Sequence, residues 1–280
     1  MGLFVLFRIA EAMQLPKLRK DAAEIIEAFI ATRLEEAGAD GIAIGLSGGL
    51  DSSLTASLSV RAVGRDRVLG VAMPEEDSNP QDLEHAYLMA KSLGIELRVI
   101  DIGKPLVSLV ECTDAKPDKL TLANLKARTR MIVLYYLANT ENRLVMGCSN
   151  KSELMVGYFT KFGDGASDYL PIGDLYKTQV RDLAHKLGIP VTIIEKPPSA
   201  GLWKDQTDEG EMGLSYDMLD SILYGLEMQL QDLEIASRAD CDPFMVEEVR
   251  SRVRRSIHKR RAPLIPKIGI RTPGYDWREP

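Results

Sequence analysis

The chain has 280 residues, 45% of them hydrophobic and 27% charged, with a formal net charge of −6. That is enough chain to bury the core of one large α/β domain or two small ones, and the balance excludes disorder as the main state. The acidic excess argues against a protein that coats nucleic acid through bulk charge, although it leaves room for a local basic site.

Met1 to Arg8 is apolar, but it has no basic stretch ahead of the apolar run and is too short to span a bilayer. Residues 1–15 therefore read as a tail or a packing segment, and no later stretch approaches a membrane span. Leu18, Ala22, Ile25, Ile26, Phe29, Ile30 and Leu34 follow a helical period over residues 17–37, and Gly38 supplies the stop. Gly41 to Leu46 is short and apolar, the pattern of a buried parallel strand. It runs into a Ser/Gly turn, after which residues 51–63 read as a helix. Arg67 to Met73 is a second strand, Pro80 to Leu93 a helix stopped by Gly94, and Glu96 to Asp101 a third strand.

A long helix is predicted from about Leu120 to Asn139, and Leu144 to Met146 as a fourth strand. Residues 158–174 are rich in Gly and Asp without a period and read as a functional loop. Leu175 to Leu187 is helical up to Gly188, Pro197 to Gly201 is another loop, and helices follow near 215–230 and 244–260. Strands alternating with helices predict an α/β fold, a doubly wound parallel sheet flanked by helices. Its ligand site is expected at the carboxyl ends of the strands. No repeat or linker divides the chain, so residues 1–280 read as one domain with a C-terminal tail at 263–280. The three cysteines, Cys112, Cys148 and Cys241, are scattered and form no CxxC pair. Neither a zinc site nor a disulfide framework is indicated, which suits a reducing cytoplasm.

The chemistry starts in Gly45-Leu46-Ser47-Gly48-Gly49-Leu50-Asp51-Ser52. A strand that enters a Gly-rich turn and then a helix offers backbone amides and a helix N-terminus to an anion. No Lys follows the glycines, so the turn is not a Walker A loop. Asp51 stands there instead, a carboxylate beside a phosphate nest, which calls for an intervening cation such as Mg²⁺. The plainer reading makes Asp51 a helix N-cap. The SGGxDS pattern between a strand and a helix favours ATP.

In this turn the sequence resembles the PP-loop ATP pyrophosphatases, with their Rossmann-like, adenine nucleotide α-hydrolase fold. These enzymes cleave ATP between its α and β phosphates and transfer AMP to an oxygen of the substrate. The middle of the chain narrows the resemblance. Ala127-Arg128-Thr129-Arg130-Met131, Ser149 to Glu153, Gly157 to Gly165, Asp168, Leu170-Pro171-Ile172 and Leu175 to Val180 are followed by Pro198 to Trp203, Gln206 to Glu209 and His258-Lys259-Arg260. Over residues 20–262 these resemble ammonia-dependent NAD⁺ synthetases. The resemblance implies a ligase that adenylates the nicotinate carboxylate of deamido-NAD⁺ and lets ammonia displace AMP, giving NAD⁺ and pyrophosphate. The competing readings are another PP-loop adenylating amidoligase, a tRNA-modifying enzyme, or a non-catalytic nucleotide sensor. The sensor would have lost its metal carboxylates, and both are present.

Position by position, the resemblance implies that Gly45 to Ser52 hold ATP, with Asp51 and Glu153 on Mg²⁺. Lys177 falls on an ATP-phosphate lysine and Ser199 on an ATP contact. Arg128, Lys161, Asp168, His258 and Lys259 fall on deamido-NAD⁺ positions. Asp51, Lys177 and Asp168 are the candidate catalytic residues. Asp168 would either hydrogen-bond a substrate hydroxyl or position the reacting end. Taken singly, Glu153 reads as a helix-face charge, Arg128 and Lys177 as surface ion pairs, and His258 as a solvated residue. Cys148 departs from the family, which carries Thr at that ATP contact. A thiol is a weak donor, and a buried inert Cys is favoured over a sulfur-transfer role.

The run from Arg250 to Arg261 invites a nucleic-acid reading. The acidic whole and the lack of interleaved aromatics count against it. The resemblance also implies a homodimer that shares the deamido-NAD⁺ site, with helices 17–37 and 120–139 as candidate contacts. Free ammonia is expected as the nitrogen donor, since 280 residues leave no room for a fused glutaminase domain.

Overall fold

The computed structural model describes residues 12–203, 205–274 and 276. The reading of Met1 to Arg8 lies outside the described residues. Four parallel strands form the sheet: β1 (Gly41–Gly45), β2 (Val68–Ala72), β3 (Glu96–Val99) and β4 (Arg143–Val145). Around them lie α1 (Ala22–Ala37), α2 (Leu50–Val63), α3 (Pro80–Leu93), α4 (Gly103–Glu111), α5 (Lys119–Thr140), α6 (Lys151–Val156), α7 (Lys177–Lys186), α8 (Val191–Ile194), α9 (Asp208–Met212), α10 (Tyr216–Glu227), α11 (Asp232–Ala239), α12 (Pro243–Arg255) and α13 (Ile257–Arg260).

The strand order is β3-β2-β1-β4. The chain builds outward from β1 to β3 and then returns to the other side of β1 for β4. The order in which strands are added reverses between β1 and β4, which opens a crevice at their carboxyl ends. Ile42 pairs with Val68 on one side and Leu144 on the other. Beyond β4, Met146 makes an isolated parallel bridge to Tyr169.

Both faces of the sheet are covered, which is why β1 and β2 read as unbroken apolar runs. Ile42, Ile44, Leu46 and Val68 pack against residues of α1, α2, α3 and α7, including Ile30, Leu34, Leu54 and Val180. Ala43, Leu69, Val71 and Val145 face Leu134 and Ala138 of α5. A second cluster, built on Tyr216, Leu219, Leu223, Ile235, Val246 and Val249, joins α10, α11 and α12 beside the sheet.

Local signals set the helix ends. Asn79 accepts from the Gln81 amide at 3.0 Å with Pro80 following, and Gly94 closes α3 in the left-handed region. Asp118 caps α5 by accepting from the Thr121 amide at 2.7 Å. Besides the short helices α6, α8 and α9, three features escape the periodicity reading. Helix α4 carries Gly103 and Pro105 in its first turn, so its apolar run resembles a strand. Helix α11 follows a Gln-rich turn without a side-chain cap. The helix expected over 244–260 breaks at Ser256, whose hydroxyl donates to the Met155 carbonyl at 3.2 Å.

Candidate active site

The Ser/Gly turn leaves β1 at its carboxyl end and feeds the N-terminus of α2, next to the switch point. Gly48 has φ of +72°, and a Cβ there would collide with the backbone carbonyl of Asp82. Both facts require glycine. Gly49, rather than Asp51, occupies the cap position of α2, and Asp51 lies in the first turn. Ser52 donates to the Gly49 carbonyl at 3.1 Å and Ser53 donates to it at 2.8 Å. The Ser47 and Ser52 hydroxyls lie 3.1 Å apart. The hydroxyls thus brace the turn itself.

Asp51, Glu153 and Lys177 come from three helices and meet. The Lys177 side chain is 2% exposed, and its ammonium pairs with Asp51 and, at 3.4 Å, with Glu153. Asn150 arranges both carboxylates. It caps α6 by accepting from the Glu153 amide at 3.0 Å, and it donates to Asp51 Oδ1 at 2.9 Å. Burial, with the charge of Asp51 second, pushes the Glu153 carboxyl up to about 8 against the pull of Lys177. Burial disfavours the charge on Lys177, but Asp51 and Glu153 more than offset it, and its pKa is raised. Lys177 therefore stays positive.

These groups line a cavity of 440 Å³. Of the residues expected from sequence, Gly45, Leu46, Ser47, Gly49, Leu50, Asp51, Ser52, Cys148, Glu153, Lys177, Ser199 and Lys259 stand in its wall. Burial pushes the Cys148 thiol up to about 12, so it stays protonated. Ser199 accepts from the Gly201 amide at 3.1 Å. Lys259 donates to the Gly157 and Phe159 carbonyls, both at 2.7 Å, and burial lowers its pKa.

Gly48, Arg128, Lys161, Asp168 and His258 lie outside that wall. Exposed Arg128 donates to the Lys161 carbonyl at 3.3 Å, so these two cationic residues sit together. Asp168 accepts from the Val145 amide at 2.7 Å and from the Tyr135 hydroxyl at 3.1 Å. Its carboxylate pins the 158–174 loop to β4.

Several residues in or just behind the wall carried no role in the sequence reading. Arg130 enters the cavity with its Nε on the Met73 carbonyl at 3.1 Å. Asp208 is 4% exposed and accepts from Tyr216, whose hydroxyl also points at Glu153. Arg130 and Asp208 lie inside quoted motifs, so only their roles were hidden. Tyr216 gave no signal, because its place depends on how α10 packs. Just behind the wall, buried Lys126 binds Glu75 at 2.7 Å, Asp77 at 2.9 Å and the Leu202 carbonyl at 3.1 Å, joining three segments at the rim.

Asp51 and Glu153 address one cation between them, and the donor set is hard oxygen. Among the described residues no three His, Cys, Asp or Glu side chains converge as a metal cage. Two carboxylates beside the Ser/Gly turn fit Mg²⁺, an ion that completes its shell with phosphate and water. The three cysteines are free. No helix among the described residues is long and apolar enough to cross a membrane.

Comparison with known proteins identifies the family. The sequence pattern of the NAD synthase family matches residues 22–263. An NH₃-dependent NAD⁺ synthetase from Thermococcus kodakarensis is 50% identical over 249 residues, covering 88% of this chain and 97% of its own. The solved NMN synthetase from Francisella tularensis superposes with a TM-score of 0.80 at 35% identity, over 89% of this chain and 98% of its own. The NH₃-dependent NAD synthetase from Campylobacter jejuni gives 0.76 at 31% identity, over 89% and 98%. This chain belongs to the NAD synthase family.

Proposed function

We propose that this protein amidates deamido-NAD⁺ to NAD⁺ with free ammonia, while ATP is cleaved to AMP and pyrophosphate. The observation that carries this reading is the cluster of Asp51, Glu153 and buried Lys177 beside the Ser47 to Ser52 turn. A carboxylate is a poor electrophile, and transfer of AMP to it supplies a leaving group that ammonia displaces. The turn binds the phosphates of ATP through its amides, and Ser199 and the Cys148 segment contact the nucleotide. Asp51 and Glu153 would hold Mg²⁺, which would neutralise charge on the polyphosphate. Lys177 keeps a positive charge at the phosphates because burial alone cannot strip it. Arg128, Lys161, Asp168, His258 and Lys259 bind deamido-NAD⁺. Charge-assisted hydrogen bonds suit its pyrophosphate and carboxylate.

Four of these last five lie outside the cavity wall, which supports a substrate site completed by a second copy. Arg128, Ile132 and Tyr136 fall on one face of α5, and Ile132 and Tyr136 are 56% and 70% exposed. We place a homodimer contact there, so the wild type should sediment as a dimer and Ile132→Asp as a monomer. A monomeric wild type at working concentration would remove this contact. ATP as co-substrate and free thiols fit the cytoplasm.

The deciding assay supplies ATP, Mg²⁺, ammonium and deamido-NAD⁺. Equal yields of NAD⁺, AMP and pyrophosphate are expected. Neither NAD⁺ nor pyrophosphate would leave another PP-loop amidoligase or a tRNA-modifying enzyme. The similarity to an NMN synthetase favours one second reading, a mononucleotide product, and nicotinate mononucleotide run in parallel tests it. Glutamine used as readily as ammonium would sink the choice of nitrogen donor.

A further inference from the structure

One carboxylate of the cavity wall keeps an oxygen without a hydrogen-bond donor among the described residues. Asp208 is 4% exposed and lines the same space as Asp51 and Lys177. Its Oδ2 accepts from the Tyr216 hydroxyl at 3.0 Å, while its Oδ1 has no hydrogen-bond partner among the described residues. Lys177 is already committed to Asp51 and Glu153. Asp208 joins no metal cage, since no three potential ligands converge among the described residues. Its neighbours Glu211, Tyr158 and Gln206 satisfy one another: Tyr158 donates to Glu211, and Gln206 donates to Glu211 at 2.8 Å. A buried carboxylate oxygen left without a donor is costly, and a bound cation with N–H donors removes the cost.

We infer that Asp208 is the docking site of the ammonium ion that supplies the amide nitrogen. The inference rests on the NAD⁺-forming reading above. A carboxylate oxygen without a donor, with neutral hydroxyls beside it, suits a monovalent ion with four N–H donors. It suits Mg²⁺ poorly, because Mg²⁺ demands six oxygens in strict geometry. The chemistry also needs such a group. Ammonium predominates at neutral pH and has no lone pair. Bound to Asp208 it passes one proton to the carboxylate, and the ammonia formed attacks the acyl carbon of the adenylate. The C–N bond forms, the bond from carbon to the phosphate oxygen breaks, and AMP leaves with the electron pair. The adduct releases its extra proton to water, and Asp208 returns its own proton to solvent. Burial already raises the proton affinity of Asp208.

The test uses Asp208→Asn in the full chain, which keeps an acceptor for Tyr216. The KM for ammonium is expected to rise about tenfold or more, the loss of one charge-assisted hydrogen bond. ATP–pyrophosphate exchange with deamido-NAD⁺ and no ammonium should stay within about threefold of the wild type. Hydroxylamine is largely neutral at the assay pH and needs no cation site, so its hydroxamate product should also form within about threefold of the wild-type rate. An unchanged KM for ammonium overturns the assignment. Exchange that falls in step with NAD⁺ formation overturns it too, because Asp208 would then serve adenylation. If the variant fails to fold, the wild type decides. Rb⁺, close to ammonium in size, should raise the KM for ammonium and leave the hydroxylamine rate alone, and no such competition overturns the site. A wild type that forms neither NAD⁺ nor exchanged ATP refutes the parent reading instead.

Discussion

Cys148 and Asp51 show how one side chain's surroundings decide its chemistry. Cys148 stands in the cavity wall where a sulfur-transfer enzyme would want a thiolate, yet burial pushes its thiol up to about 12. A protonated thiol is not a nucleophile. Iodoacetamide at neutral pH should therefore label exposed Cys112 first and leave Cys148 unmodified in the native protein, as peptide mapping will read. Rapid labelling of Cys148 would reopen the sulfur reading. Asp51 is bound by Lys177 and Asn150 and faces the phosphate turn. Asp51→Ala should lower AMP formation by on the order of 100-fold or more, the loss typical of a group acting on developing charge. Its circular dichroism should remain native. A fully active variant would remove the carboxylate from the reaction.

At the scale of the element, the short helix α6 matters most. Its six residues hold no core of their own and depend on the cap and on packing. Asn150 supplies the cap and the bond to Asp51 together, so one side chain sets the distance between Asp51 and Glu153. Asn150→Ala should cost about 1–2 kcal/mol in denaturant unfolding, a cap's worth. It should also cost about 10–100-fold in Mg²⁺ affinity or activity, as the loss of an outer support does. Stability lost without any change in the Mg²⁺ dependence would assign Asn150 to the cap alone. The spacing of Asn150 and Glu153 was legible as sequence, and so was the strand-turn-helix order around Gly48. The contact between Gly48 and Asp82 was not, because α3 reaches the turn only through the stacking of β2 beside β1.

The molecule as a whole joins the acid-base state of the site to folding. Glu153 titrates higher in the folded chain than in the unfolded one. Between the ordinary carboxylate range and about 8, the native state thus holds a proton that the unfolded state has lost. In metal-free protein this contribution is present at low pH and is lost as pH rises through the window. Under the proposed function, Mg²⁺ with ATP would take the deprotonated carboxylate. The rise in Tm on adding both should therefore be larger near the upper end of the window than near its lower end. Equal shifts at both ends would take Glu153 out of the metal site.

The sequence by itself determined the alternation of strands and helices, the glycine turn between β1 and α2, and the family. Each rests on local pattern: apolar runs for strands covered on both faces, glycine where φ turns positive, and motifs whose members lie close along the chain. Only the tertiary structure decided which charges meet. Lys177 reaches Asp51 across 126 positions because α7 packs on α2. Asp168 turns inward on β4, and α10 brings the Tyr216 hydroxyl to one oxygen of Asp208 while the other finds no donor among the described residues. Burial and pairing arise from contacts between distant segments, and no spacing along the chain encodes them.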